Sequence, residues 1–435
     1  MKKLSFCIIR CRVITFDTSN ALFYVVFGIE LSSLFCKIDF EQGGIHLDKT
    51  EMMRVEVSRY YRGRKMMLLR ELVMTPGRII SGMLFLMAGG GVFLVLLNRL
   101  LLPCRDRTLK TCAIMGCGAI LTVGPAFFGY YVGFAPWLLL PILILLALTA
   151  GEIRRVVIRV RYRGTPPIER KHVRMTLMRP FTLFDLSVAR YEVHSAHWQA
   201  QTLRIAHISD LHVSRFYPET FYQDLFAHIR ETKPDILLIT GDFITKPGDI
   251  SLLPGILTPL SSQYPTFAIL GNHDYWGGAD RVANVVRSSG IHLLRNTCHS
   301  IGHRNGKGLY ICGYEYPWGA NQVPLPDDAT DGLIIVLTHT PDNIYRLSTK
   351  GVTMVFAGHY HAGQIRIPYL GSLVIPSLYG RRFDHGHFLV NGTHLFVTSG
   401  IGTATFPIRL YCQPDIFIVD ILGNDPSNDR THRTT

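Results

Sequence analysis

Short apolar runs, each followed within a few residues by Asp, Asn or His, recur between residues 203 and 361. Residues 203–208, 236–239 and 266–270 are runs of this kind, and their length and branched side chains are typical of buried strands. Two segments with helical apolar spacing, residues 218–232 and 279–289, lie among them. Strand and helix therefore alternate, which predicts an α/β sheet whose strand-end loops carry the functional site.

Further strand-like runs follow at residues 333–337 and 352–356. Residues 388–419 then alternate short strand-like runs with Gly-rich turns, which favours a second and more antiparallel sheet. We therefore predict one α/β (α+β) domain over residues 201–422. Residues 423–435 are predicted to be a disordered tail.

An almost uncharged apolar region, residues 79–150, precedes this domain. Residues 79–97 alone are long enough to cross a bilayer core of about 30 Å. Residues 111–150 are about twice as long and contain, at 129–137, aromatic and helix-breaking residues suited to an interfacial turn. The pattern predicts about three transmembrane helices. Because no ionisable cluster lies inside the spans, an anchor is favoured over a transport pathway.

The basic residues are concentrated beside the apolar region, although the net charge of +13 would also suit a nucleic-acid partner. Such flanks mark a membrane surface, so we predict a membrane partner and no nucleic acid. Residues 1–78 form a basic region without a coherent pattern, and we expect translation to begin at Met52 or Met66. Residues 151–200 are predicted to be a basic linker. Since this is the denser basic block, we expect a bacterial inner-membrane protein with a cytoplasmic catalytic part.

The nine cysteines include no C-x-x-C and have irregular spacing, so no disulfide framework is predicted.

Six polar clusters follow the apolar runs. Taken singly, Asp or Asn after a strand often caps a helix, and a lone His is usually structural. Together they supply carboxylate, amide and imidazole ligands for two divalent ions, one carboxylate serving as a bridge. The clusters are Asp210 with His212, Asp242, Asn272 with His273 and Asp274, His339, His359, and His361.

The pattern D-x-H, G-D, G-N-H-D, H and G-H-x-H resembles that of the calcineurin-like metallophosphoesterases over residues 200–420. The resemblance implies two packed β-sheets flanked by helices, here preceded by transmembrane helices. It further implies that His273 faces the substrate and is oriented by Asp274, and that Asp242 bridges the metals. The implied ligands are Asp210, His212, Asp242 and His361 for one ion, and Asp242, Asn272, His339 and His359 for the other.

The implied reaction is in-line hydrolysis of a phosphoester by water that two divalent ions activate. Mn, Fe and Zn all suit a mixed nitrogen and oxygen ligand set, so the metal identity stays open. His273 would stabilise charge on the transition state or on the leaving oxygen.

The stretch Gly358-His359-Tyr360-His361-Ala362-Gly363 is similar to the YkuE/YaeI-like bacterial branch, which usually has Thr and Gly where this chain has Tyr360 and Ala362. Tyr360 is therefore a candidate for substrate preference. Arg381, Arg382 and Arg409 are candidates for binding a second phosphate or a sugar diphosphate, although a solvated surface is equally plausible for the first two.

An apolar stretch at residues 369–378, together with the anchor, favours a lipid-linked phosphoester. Within this branch, the LpxG-type activity hydrolyses UDP-2,3-diacylglucosamine to UMP and lipid X in lipid A synthesis. The resemblance permits that substrate. The alternative is a generic phosphodiesterase or phospholipid phosphoesterase.

Overall fold

The computed structural model describes residues 75–102, 107–133, 136–172, 178–198, 201–304, 307–322, 325, 332–404 and 406–423. The predicted N-terminal region up to residue 74, with Met52 and Met66, lies outside the described residues. So does the predicted tail from residue 424 onward.

Three helices precede the catalytic part: α1 (Thr75–Leu101), α2 (Thr108–Val132) and α3 (Pro136–Arg161). Each is long and apolar enough to cross a membrane, which confirms the three helices expected from the uncharged region. Helix α3 continues about three turns past residue 150, where arginines alternate with Val156, Val157 and Val160. The predicted linker thus begins as a helix.

The first sheet has seven strands in the order β1-β2-β15-β3-β4-β5-β6. Strands β3 to β6 run parallel to one another, and β15 pairs antiparallel with β3. Helices α4 (Glu219–Thr232), α5 (Leu253–Ser261) and α6 (Asn272–Ser288) connect these strands. The strands are β1 (Glu169–Lys171), β2 (Ser187–Ser195), β3 (Leu203–Ile208), β4 (Ile236–Ile239), β5 (Thr266–Ala268), β6 (His292–Leu293) and β15 (Asp415–Gly423).

The second sheet has six strands in the order β13-β14-β10-β9-β8-β7. Its inner strands β8, β9, β10 and β14 are parallel, and β7 and β13 pair antiparallel at the two edges. A short antiparallel pair, β11 (Arg366–Ile367) and β12 (Gly371–Ser372), forms a separate sheet. A one-turn helix α7 (Ile344–Leu347) packs against the second sheet. The strands are β7 (Cys298–Arg304), β8 (Lys307–Tyr314), β9 (Leu333–Thr338), β10 (Met354–Ala357), β13 (Gly386–Val390) and β14 (Thr393–Val397).

The two sheets pack face to face around a shared apolar core. Ile205, Leu238 and Phe267 of the first sheet meet Leu337 and Phe356 of the second. The outer face of the first sheet is covered by α4, α5 and α6. Side chains therefore alternate between two buried faces, which explains why the strands read as continuous apolar runs. The predicted pair of packed sheets flanked by helices is confirmed.

Strand membership differs from the sequence prediction. β9 and β10 belong to the second sheet rather than continuing the first, and β15 crosses back into the first sheet between β2 and β3. β2, β7 and β8 were not predicted. β2 lies within the predicted linker, so the first sheet begins before residue 201.

Cys298 and Cys312 face each other on β7 and β8 and form a disulfide. The cysteine spacing did not predict it, because the pairing depends on the register of two strands that the sequence analysis missed.

Candidate metal centre

The predicted ligands converge because parallel strands place their carboxyl ends at one edge. Asp210, Asp242 and Asn272 follow β3, β4 and β5 of the first sheet. His339 and His359 follow β9 and β10 of the second sheet. The sandwich brings both edges together, so residues distant in sequence share one buried site.

The first group joins Asp210, His212 and His361, whose candidate ligand atoms lie within 4.8 Å of one another. The Nε2 atoms of the two histidines are 3.2 Å apart, and His361 Nε2 is 3.3 Å from Asp210 Oδ1. His212 is held by Thr245 Oγ1, which is 2.9 Å from its Nδ1. This fixes the nitrogen that faces the centre, as a hydrogen-bonded partner does for a metal-binding imidazole.

The second group joins Asp242, His339 and His359. His339 Nε2 lies 3.2 Å from Asp242 Oδ2, 3.0 Å from Asn272 Oδ1 and 3.2 Å from His359 Nδ1. Its other nitrogen, Nδ1, is 2.7 Å from the carbonyl oxygen of Thr240.

Asp242 is common to both sides of the centre. Its Oδ2 is 3.5 Å from His212 Nε2 as well as 3.2 Å from His339 Nε2. This is the position that a bridging carboxylate requires, and the ligand assignment stays a prediction.

His273 also faces the centre. It forms a third group with His212 and Asp242, and its ring meets that of His212 edge-on with 4.8 Å between centroids. Its backbone N–H donates to Asp242 Oδ1 over 2.8 Å. His273 and His359 are half-buried, whereas the other six predicted ligands are buried, so the His273 ring is more accessible to a substrate than most of the centre.

Asp274 has a different role from the one implied by the resemblance. Its carboxylate accepts hydrogen bonds from the backbone N–H groups of Phe243, Ile244 and Gly271. It ties the β4 and β5 loops together, and no hydrogen bond to the His273 ring is formed among the described residues. Burial raises the pKa of this carboxyl well above its usual range, and the charge of Asp242 adds to the effect.

Backbone conformation singles out the same residues. Asp210, His212, Asp242, His359 and His361 have φ values of 52°, 42°, 56°, 67° and 49°. Such left-handed conformations are uncommon outside glycine and cluster at functional sites, where surrounding structure must hold them.

The charge balance favours ionised Asp242. Burial alone would raise its pKa, yet the neighbouring His339 and His273 hold it well below the usual range. For His339, burial lowers the pKa, but the charges of Asp242 and Asp210 overcome this and raise it to about 9. Burial raises the pKa of Asp210 to about 6.

The imidazoles of three predicted ligands, His212, His359 and His361, are held neutral. Burial lowers the pKa of His212 to about 3 and that of His359 and His361 well below the usual value. A neutral imidazole is the form that binds a metal. His361 also has a buried Nδ1 with no hydrogen-bond partner, and its Nε2 faces another neutral imidazole. Converging neutral nitrogens and carboxylate oxygens fit divalent cations.

Two tryptophans and a lysine border the centre and were missed by the sequence analysis. Trp318 lies edge-on to His339 and His359, with 5.5 and 5.1 Å between ring centroids. Trp276 packs on His273 at 4.8 Å, and Lys110 of helix α2 lies 5.6 Å above its ring. These contacts link elements far apart in sequence, and no local motif marks them.

Tyr360, predicted to contact substrate, is instead buried. Only 2% of its surface is exposed, and it packs in the core behind the second sheet. Its hydroxyl donates to Asp342 over 2.7 Å. Tyr360 therefore positions the loop that carries His359 and His361 and does not line an open surface.

The three predicted arginines are each held by contacts within the protein. Arg409 is fully buried and donates to the carbonyl oxygens of Ser399, Gly400 and Gly402. Arg381 pairs with Glu152 of helix α3, and Arg382 donates to the Tyr345 hydroxyl. Arg381 and Arg382 line a cavity that none of the predicted metal ligands lines, and Arg409 is held by backbone carbonyl oxygens. Their positions therefore do not support binding of substrate at the metal centre.

Residues 203–363 match the profile of the family described as calcineurin-like phosphoesterase. The chain carries a calcineurin-like metallophosphoesterase domain. This match confirms the resemblance that was inferred from the motifs. Enzymes of this family use divalent metals, which fits the ligand groups described above.

Three relatives extend the comparison. Phosphodiesterase YaeI of Escherichia coli is 29% identical over 228 residues, 51% of this chain and 83% of that protein. Metallophosphoesterase YkuE of Bacillus subtilis, described as uncharacterized, is 27% identical over 227 residues, 49% of this chain and 77% of its own. A transmembrane protein with metallophosphoesterase domain from Danio rerio is 26% identical over 233 residues, covering 49% of this chain and 52% of that protein.

Gly358 allows the close approach of the β10 loop to Asp210. A Cβ at this position would lie 1.9 Å from Ser209 Oγ and 2.2 Å from Asp210 Oδ2. We expect Gly358→Ala to displace Asp210 and to lower turnover by about 100-fold, with reduced metal content measured by elemental analysis. Gly255→Ala is the control, because nothing lies within 4 Å of that position. Equal activity and metal content in both variants would contradict the geometry.

Metal uptake by the metal-free protein should depend on pH. His339, with its pKa raised to about 9, is protonated at neutral pH and must lose a proton to bind a metal. The apparent affinity for Mn²⁺ should therefore rise as pH increases from 7 to 9, by up to about tenfold per unit for one proton, and level off above. Calorimetric titration across this range measures it. A flat profile would show that His339 carries no proton that metal displaces.

Proposed function

We propose that this protein is a membrane-anchored, metal-dependent hydrolase that cleaves a phosphodiester or pyrophosphate bond in a lipid-linked substrate. The convergence of carboxylate, amide and imidazole ligands at one sandwich edge carries the hydrolase part of the proposal. The relative from Escherichia coli is named a phosphodiesterase, which supports this bond type.

When bound, two divalent ions would neutralise phosphate oxygens and activate water. Asp210, His212, Asp242 and His361 would hold one, and Asp242, Asn272, His339 and His359 the other. His273, half-buried beside His212, is placed to stabilise charge on the transition state or the leaving oxygen. The Asp274 carboxylate joins the loops after β4 and β5 by hydrogen bonds and so helps to position Asp242.

The lipid-linked part rests on the contact between helix α2 and the centre. Lys110, at the start of an apolar helix, lies over Trp276, which packs on His273. A membrane surface at that helix end would therefore adjoin the catalytic edge. A substrate anchored in the bilayer could present its phosphate there without leaving the membrane.

A nucleotide-linked lipid is favoured by Trp276. Its side chain is 55% exposed next to His273 and offers an aromatic surface on which a base can stack. UDP-2,3-diacylglucosamine, hydrolysed to UMP and lipid X, has this chemistry and is our specific candidate. The alternative is a generic phosphodiesterase or phospholipid phosphoesterase, which needs no base.

We also propose that the catalytic part is cytoplasmic in a bacterial inner membrane. The helix ends next to it carry Arg99, Lys110 and Arg154, whereas residues 133–135, between α2 and α3 in the sequence, carry no charge. Basic residues are enriched on the cytoplasmic side of membrane helices. The Cys298–Cys312 disulfide is unusual for that compartment and argues for the opposite side. Basic residues at all three adjoining helix ends, against one disulfide, favour the cytoplasmic side.

Asn272→Ala and His359→Ala should each abolish turnover of bis(p-nitrophenyl) phosphate while the thermal unfolding midpoint stays close to the unmutated value. Each removes one predicted ligand of the same ion. His172→Ala is the control because that side chain is exposed and distant in sequence from every cluster. Wild-type turnover in either ligand variant would refute the assignment.

Substrate class is tested with the full chain in lipid nanodiscs, with metal restored after chelation. We expect release of UMP from UDP-2,3-diacylglucosamine, and loss of that activity in Trp276→Ala beyond its effect on bis(p-nitrophenyl) phosphate. Equal effects on both substrates, or activity on phosphatidylglycerol alone, would favour the alternative.

Orientation has a separate test. A reporter that is active only outside the cytoplasm, fused after Thr435, should stay inactive. An active reporter would place the catalytic part outside and would agree with the disulfide instead.

A further inference from the structure

A cavity separate from the metal centre lies where the membrane helices meet the catalytic part. It has a volume of about 470 Å³, within the usual range for ligand pockets. Its walls come from α1, α3 and the segment 370–382, and none of the predicted metal ligands lines it. Nothing in the hydrolytic reaction described above uses it.

The cavity lining changes from apolar to charged along α1 and α3. Gly91, Leu94 and Val95 on α1 and Leu148 on α3 form an apolar part within the membrane-spanning segments. One to two turns further along, each helix contributes polar groups, namely Asn98 with Arg99 on α1 and Glu152 with Arg155 on α3. An apolar part that leads into a charged part at the membrane boundary matches the shape and polarity of a membrane lipid.

The charged part has an excess of positive charge. Five arginines, Arg99, Arg154, Arg155, Arg381 and Arg382, line the cavity with Glu152 as the acidic residue, an excess of four positive charges. Glu152 is engaged by Arg155 at 2.8 Å and by Arg381. Within the described part of the chain, Arg99, Arg154 and Arg382 have no carboxylate partner. An anion in the cavity would balance them.

The two walls approach each other at Gly380. A Cβ on this glycine would lie 3.4 Å from Arg99 Nε, so the α1 guanidinium reaches the segment that carries Arg382. Arg382 itself is oriented by Tyr345 and by the ring of Tyr379 at 5.9 Å. A phosphate between the walls could therefore receive hydrogen bonds from both sides.

We propose that this cavity binds an anionic phospholipid, with the lipid phosphate among Arg99, Arg381 and Arg382 and the acyl chains along Leu94, Val95 and Leu148. The apolar part favours a bilayer lipid over free phosphate. Arg381 and Arg382, first considered as clamps for the substrate, would then bind a lipid that is not hydrolysed. The proposal does not depend on the reaction at the metal centre.

The bound lipid would also touch a wall that is connected to the catalytic loops. Asn98 Nδ2 donates to the Leu373 carbonyl over 3.1 Å, and its Oδ1 accepts from Ile375 N–H over 2.5 Å. Ser377 follows in the same segment and donates to Asp342, the acceptor of the Tyr360 hydroxyl.

The test is native mass spectrometry of the full chain released from nanodiscs that contain phosphatidylcholine and phosphatidylglycerol. We expect retention of one phosphatidylglycerol in preference to phosphatidylcholine. Arg99→Gln and Arg382→Gln, made separately, should each lower its retention by about fivefold, and the double variant by roughly tenfold or more. The matched control is Arg161→Gln. Arg161 is an exposed arginine at the end of α3, and it does not line the cavity.

Thermal unfolding checks that each variant is folded. If one of the two single variants does not fold, the other still tests the proposal. Retention without preference for the anionic lipid, equal loss in Arg161→Gln, or displacement of the lipid by millimolar inorganic phosphate would each overturn the proposal. Failure of the hydrolytic activity would not affect it, since lipid retention is measured without substrate or metal.

Discussion

Left-handed backbone at the ends of the strands is the constraint on which the centre depends. Each such residue costs of order 1–3 kcal/mol, which must be offset by its surroundings. The offset is visible at Asp210, whose carboxylate accepts the His359 N–H at 2.9 Å and whose carbonyl accepts the Gly402 N–H at 2.8 Å. Loops from both sheets are thus fastened to one another through the predicted metal ligands. The sandwich must be complete before this edge has its active form.

Much of the centre was predictable because its chemistry is local in sequence. A buried parallel strand reads as an apolar run, and the polar residue that follows it lies at the sheet edge regardless of which sheet the strand joins. Asp210, Asp242 and His339 could therefore be identified without knowing the topology. Helix α6 was predicted to begin at residue 279, whereas it begins at Asn272, so this predicted ligand lies in the first helical turn.

The remaining features depend on partners distant in sequence. β9 and β10 are short, buried, mainly apolar strands like β4, and sheet membership is decided by crossovers that leave no local pattern. In β2, Arg190, Glu192 and His194 alternate with buried Tyr191 and Val193, which is the pattern of a half-buried strand. This strand was missed because the surrounding basic residues favoured a linker. The burial of Tyr360 and Arg409 was hidden because residues of these types are seldom fully buried. Their burial is tolerable because Tyr360 donates to Asp342 and Arg409 donates to three carbonyl oxygens.

The position of β15 has a consequence for how the chain reaches this structure. β15 pairs with β2 on one side and β3 on the other, so it occupies the middle of the first sheet. Both neighbours are synthesised before the entire second sheet, and β15 only after it. During synthesis the first sheet is therefore divided, with the edges of β2 and β3 unpaired while α1 to α3 are already available to enter the membrane. The bilayer would hold the chain in place before the catalytic edge exists.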